Sequence, residues 1–133
     1  MKLALLAATL LLSTVVLPSG AWAQAVEGQY AIYGKEISGE AGYTGKVAVS
    51  KQGATYTIIW LIGTEVHTGT GILSDNVLSV TFIARGSPVP GLAVYTVQTD
   101  GTLTGQFTVL GGRKVGAEIW RPIPKDNEKD KEN

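Results

Sequence analysis

Between residues 93 and 109 the chain reads AVYTVQTDGTLTGQFTV, two alternating apolar/polar runs on either side of Asp100-Gly101. That dipeptide between alternating runs predicts a β-hairpin with a type I′ turn, which requires positive φ at both central residues. In the second run Leu103, Phe107 and Val109 fall on one side, with Gly105 between them. Thr102, Thr104, Gln106 and Thr108 fall on the other, so the strand has one buried and one wet face.

The same unit recurs along the chain. Eight strands are predicted, over residues 29–35, 43–51, 55–62, 66–73, 78–85, 92–98, 102–109 and 114–120. Gln52-Gly53, Gly63-Thr64, Asp75-Asn76 and Gly111-Gly112 supply turns between them. Residues 86–90 hold two prolines and form the one irregular connection, because proline cannot sit inside a central strand. No window carries a helical period. Sequential strands joined by short loops predict an all-β fold, an eight-stranded antiparallel up-and-down meander closed into a barrel, which removes exposed sheet edges. A β-sandwich is the alternative. Glycines inside strands, such as Gly45, Gly69, Gly71, Gly105 and Gly116, mark bends, bulges or close approach of neighbouring atoms. With no helix to follow it, Gly69-Thr70-Gly71 is not a phosphate loop.

The two faces then divide. The inward face takes Tyr30, Tyr43, Tyr56, Trp60, Phe82, Tyr95 and Phe107, joined by Val47, Val80, Leu103 and Ile119. Side chains of an eight-stranded barrel either fill it or leave room for one small ligand. Of the inward rings Tyr30, Tyr43, Tyr56, Trp60, Tyr95 and Phe107 are the candidate ligand-binding residues, since a tyrosine-rich interior can hydrogen-bond a small amphipathic guest. Outward, strands three to six carry Ile59, Leu61, Ile72, Ile83, Leu92 and Val94, a continuous apolar patch that marks a surface for self-association or a protein partner.

Composition sharpens this picture by exclusion. Residues 1–23 have a lysine start, an apolar run from Leu3 to Leu17 and an Ala-Trp-Ala end, which predicts a cleaved signal peptide and a periplasmic or extracellular (secreted) chain without a membrane span. Residues 24–122 then form one barrel domain, and residues 123–133, ending in KDNEKDKEN, a disordered charged tail. There is no cysteine, so burial alone must hold the fold. Removing Lys2 leaves ten basic against eleven acidic residues, a balance that implies no nucleic-acid partner. His67 is the only histidine and is read as an ordinary strand residue; no catalytic residue, metal ligand or cofactor site is assigned. Glu118, the one carboxylate inside a predicted strand, is expected to face solvent or to pair with Arg113 or Arg121.

Strand count, meander order and the Gly28-Gln29-Tyr30 opening resemble the calycin-type barrels, the avidin and lipocalin architecture, with Tyr30 where those families place tryptophan. The asparagine and serine pattern by which avidins hold biotin is absent. Residues 91–120 (GLAVYTVQTDGTLTGQFTVLGGRKVGAEIW) also resemble small secreted proteins of alphaproteobacteria, many uncharacterised and some labelled fibronectin-binding. The resemblance and the two faces together are read as a non-enzymatic binding module with a small apolar or amphipathic ligand in the barrel mouth, or with a homo-oligomeric or protein partner on the outer apolar face. An inhibitor of a cell-envelope enzyme or a fibronectin-type host-matrix adhesin is the alternative.

Overall fold

The computed structural model describes residues 25–37, 39 and 41–125. The expected signal peptide, and the tail from Asp126 onward, lie outside them. Eight antiparallel strands follow one another: β1 (Gly28–Lys35), β2 (Gly42–Gln52), β3 (Thr55–Ile62), β4 (Glu65–Ser74), β5 (Val77–Ala84), β6 (Pro90–Val97), β7 (Leu103–Val109) and β8 (Gly116–Pro122). Each pairs with the next, and β8 pairs back onto β1 with Trp120 opposite Ile32, so the sheet closes into an up-and-down barrel. Closure, rather than a sandwich, satisfies both edges of every strand. Pro90 enters β6 only as its first residue and Pro122 leaves β8 as its last, positions where a missing ladder donor is tolerated.

The β6–β7 turn departs from the expected type I′. Gly101 has φ 82°, but Asp100 is not in the positive-φ region. The Gly101 amide donates to the Gln98 carbonyl at 3.0 Å and the Gln98 amide to the Thr102 carbonyl at 2.7 Å, a longer loop. Asp100 serves it through its side chain, whose Oδ1 accepts from the Thr102 amide at 2.9 Å. Asp75, φ 53°, is instead the one non-glycine residue at positive φ among those described.

Inside the barrel, large side chains alternate with glycines across the register. Gly34 stands opposite Tyr43, Gly105 opposite Tyr95, Gly116 opposite Phe107, and Phe82 between Gly69 and Gly91. A Cβ at Gly34, Gly91, Gly105 or Gly116 would run into the ring of its neighbour. These glycines are therefore seats for aromatic rings, the close-approach case of a strand glycine.

The interior has two different ends. At one, reached by the short turns after β2, β4 and β6, Val49, Ile58, Leu78, Val97 and Leu103 are buried. The segment before β1 folds over this end: Val26 is fully buried, and its carbonyl accepts from the Tyr30 hydroxyl at 2.7 Å. At the other end emerge the connections after β1, β3, β5 and β7, and there the interior is open. On β8 the inward residues are Gly116, Glu118 and Trp120, while Ile119 is 39% exposed on the outside. The expected inward Ile119 is thus corrected, because register with β1 and β7 puts the parity of Trp120, the strand's largest side chain, into the core.

Candidate functional site: an aromatic cavity floored by a buried glutamate

The open end holds a cavity of about 410 Å³. Its walls are rings that reach inward from five strands: Tyr43 on β2, Trp60 on β3, Phe82 on β5, Tyr95 on β6 and Phe107 on β7. Phe82 links two of them, with ring centroids 5.7 Å from Trp60 and 6.4 Å from Phe107, and Tyr43 meets Phe107 edge-on at 6.5 Å. His67, on β4, also faces inward and lies nearly parallel to Phe82, 6.2 Å between centroids. Its Nε2 is 3.4 Å from Glu65 Oε2 at the rim. Among the described residues no group of three or more His, Asp or Glu side chains gathers to hold a metal ion.

Glu118 is the polar centre of this cavity. It is buried, with 5% exposure, and does not meet Arg113 or Arg121; Arg121 stacks instead over the Tyr33 ring outside, 5.0 Å from its centroid. Four donors converge on the carboxylate. The Tyr43 hydroxyl donates to Oε1 at 2.6 Å, and the Tyr95 hydroxyl and Trp120 Nε1 donate to Oε2 at 2.7 Å each. Trp60 Nε1 reaches Oε2 at 3.4 Å. The local sequence explains how two tyrosines reach one acid. In register, Glu118 is flanked by Gly34 on β1 and Gly105 on β7. The Tyr43 and Tyr95 rings lie across those same two glycines, which lack the Cβ that would block them.

The phenols answer to this arrangement. Burial first, and the neighbouring Glu118 carboxylate second, hold Tyr43 and Tyr95 far above the ordinary tyrosine value, so both remain hydrogen-bond donors. A buried carboxylate is tolerated only when its oxygens are satisfied, and here every buried side-chain polar atom described has a partner.

Of the six ring residues singled out from the sequence, Tyr43, Trp60, Tyr95 and Phe107 line the cavity. Tyr30 and Tyr56 also face inward but lie toward the closed end, away from it; Tyr30 packs on Trp120 at 5.9 Å. Glu118 and Trp120 complete the site without having been singled out. Trp120 carried a signal, being the bulkiest residue of its strand and of the same parity as Glu118.

The outer candidates are placed together on β3 to β6. Ile59, Leu61, Ile72, Ile83, Leu92 and Val94 are all exposed, at 43–59%. Hydroxyl residues separate them across the strands: Thr68 lies between Ile59 and Ile83, Ser79 between Ile72 and Val94, and Thr81 opposite Leu92.

No family model and no curated protein matches the chain. Among solved structures it is similar to one described as "REP1-NXSQ fatty acid transporter", with a TM-score of 0.52 and 11% identity over 76% of this chain and 98% of that one. That likeness is one of fold alone.

Proposed function

We propose that this barrel is a secreted or periplasmic binding module that holds one small ligand with an apolar body in the cavity at its open end. One observation carries the reading: the closed half of the interior is packed, whereas the open half leaves about 410 Å³ between aromatic walls around the buried, hydrogen-bonded Glu118. Concave, mostly apolar sites of roughly 300–1,000 Å³ with few convergent polar groups are the usual form of small-molecule pockets. The fold shared with a protein described as a fatty acid transporter agrees with such a use, and export is the reading of the N-terminal sequence.

Native mass spectrometry of the protein purified from its own host tests this directly, together with titration by an uncharged apolar fluorophore. The expected result is one retained or saturably bound small molecule per barrel, with quenching of Trp60, which is lost on filling the cavity by Ala84→Trp. A barrel that carries no added mass and binds no probe saturably sinks the proposal.

A second reading rests on a separate observation, the six exposed aliphatic side chains of β3 to β6. They form a face for self-association or a protein partner, and a protein that sediments as a monomer at high micromolar concentration removes the self-association half of it.

A further inference from the structure

Resting on the ligand-binding reading above, we infer that the cavity selects a ligand that carries a protonated amine on an apolar body, and disfavours carboxylates such as fatty acids. The charged groups of the lining are one-sided. Glu118 lies in the interior and Glu36 and Glu65 lie toward the mouth, while among the described residues no lysine or arginine contributes to the wall. His67 is the one basic side chain among the described residues of the lining, and it already faces Glu65.

Each oxygen of Glu118 has a neutral donor, but among the described residues the carboxylate has no counter-charge. All four of its donors are neutral hydroxyl or indole groups, and no Lys or Arg side chain lies within ion-pair distance among the described residues. The two oxygens are also unequal. Oε2 accepts three donors, whereas Oε1 accepts only the Tyr43 hydroxyl. An ionised carboxylate oxygen has about two lone-pair sites, so Oε1 keeps room for one more donor. Tyr43 and Tyr95, held protonated, add donors for the acid but no positive charge.

The walls suit the same head group. The rings of Tyr43, Trp60, Phe82 and Phe107 surround the space beside Glu118, and aromatic faces attract an ammonium through their quadrupoles, more so where water is excluded. An ammonium would give Oε1 its missing donor and Glu118 its counter-charge in one contact. A carboxylate would bring a second negative charge to a low-dielectric site that offers it no cation. A neutral hydroxyl falls between, able to donate but not to neutralise.

The test is a matched series on the intact protein: decylamine, decanol and decanoate at neutral pH, measured by calorimetry and by tryptophan fluorescence, with Glu118→Gln and, as a control in the closed-end turn after β4, Asp75→Asn beside the wild type. The expected order is amine, then alcohol, then acid, with amine and acid separated by about tenfold or more. Glu118→Gln is expected to collapse most of that separation, and Asp75→Asn none of it. Decanoate binding as well as decylamine to the wild type overturns the inference, whether or not Glu118→Gln folds, and leaves the binding reading intact. So does a separation unchanged in a folded Glu118→Gln protein. Failure of all three probes to bind overturns both.

Discussion

The same eight strands build two unlike halves. At the closed end Ile58, Leu78, Val97 and Leu103 are buried with Val26, and aliphatic pairs such as Ile58 with Val49, Leu73 with Leu78 and Val97 with Leu103 meet across the strands. At the open end the inward positions are rings seated on glycines, and the ring positions Tyr43, Phe82 and Phe107 stay half-buried around a cavity. Strand pairing is continuous through both, so the difference lies in the side chains and in the loops that emerge at each end. Aliphatic pairs close a cylinder because their branches interdigitate; rings laid flat over glycines hold the wall while leaving the axis empty.

Core truncation is the strongest way to break that contrast. Ile58→Ala at the closed end removes a fully buried side chain and is expected to cost about 2–5 kcal/mol in chemical denaturation. Phe82→Ala at the open end, where the ring already faces a void, should cost clearly less while enlarging the cavity; equal losses would show that the two halves do not differ in packing.

A smaller effect is expected at the glycine seats. Gly105→Ala sets a Cβ against the Tyr95 ring and should cost about 1–3 kcal/mol by overpacking. The same change must draw the Tyr95 hydroxyl from Glu118, so ligand binding should weaken together with stability. Gly53→Ala, in a closed-end turn where a Cβ meets nothing but φ is 61°, would weaken stability alone.

Alkali separates the halves by charge. Burial and the Glu118 carboxylate raise the phenols of Tyr43 and Tyr95, and burial alone raises that of Tyr30, above the ordinary value of 10.0. The unfolded chain releases these protons near pH 10 whereas the folded chain keeps them. Stability from this source is therefore complete below pH 10 and declines as pH rises beyond it. Denaturation midpoints should hold from pH 8 to about 10 and fall from there to about 11.5, with tyrosinate absorbance from these rings growing only as the fold is lost; Tyr43→Phe should flatten the decline. Least of all, Ile83→Ser on the outside should change stability by no more than about 0.5 kcal/mol, while abolishing any self-association seen by sedimentation.

Alternation alone is enough to read the strands and, for β1 to β3 and β5 to β7, the large inward side chains. It misread β8 for a physical reason. Glu118 and Ile119 have the polarities of an exposed and a buried residue, and three of the four donors that make Glu118 tolerable inside come from 75, 58 and 23 residues away. No local window of sequence contains those three. Trp120, which shares its parity, is the local evidence against the polar residue's face. The Asp100-Gly101 turn was placed correctly but given the wrong geometry, since the Asp100 carboxylate caps the Thr102 amide in a longer loop instead of entering positive φ. Val26 lies before the first strand and has no period to belong to, so its burial follows only from the closed end that Tyr30 and Val26 build together.

The direction of the strands has a practical corollary. β1 leaves the closed end and β8 returns to it, so that Glu27 and Lys125 border one surface hollow there, on the pole opposite the cavity mouth. A reporter, tether or solid support joined at either residue would sit on the pole opposite the entrance and leave it unobstructed.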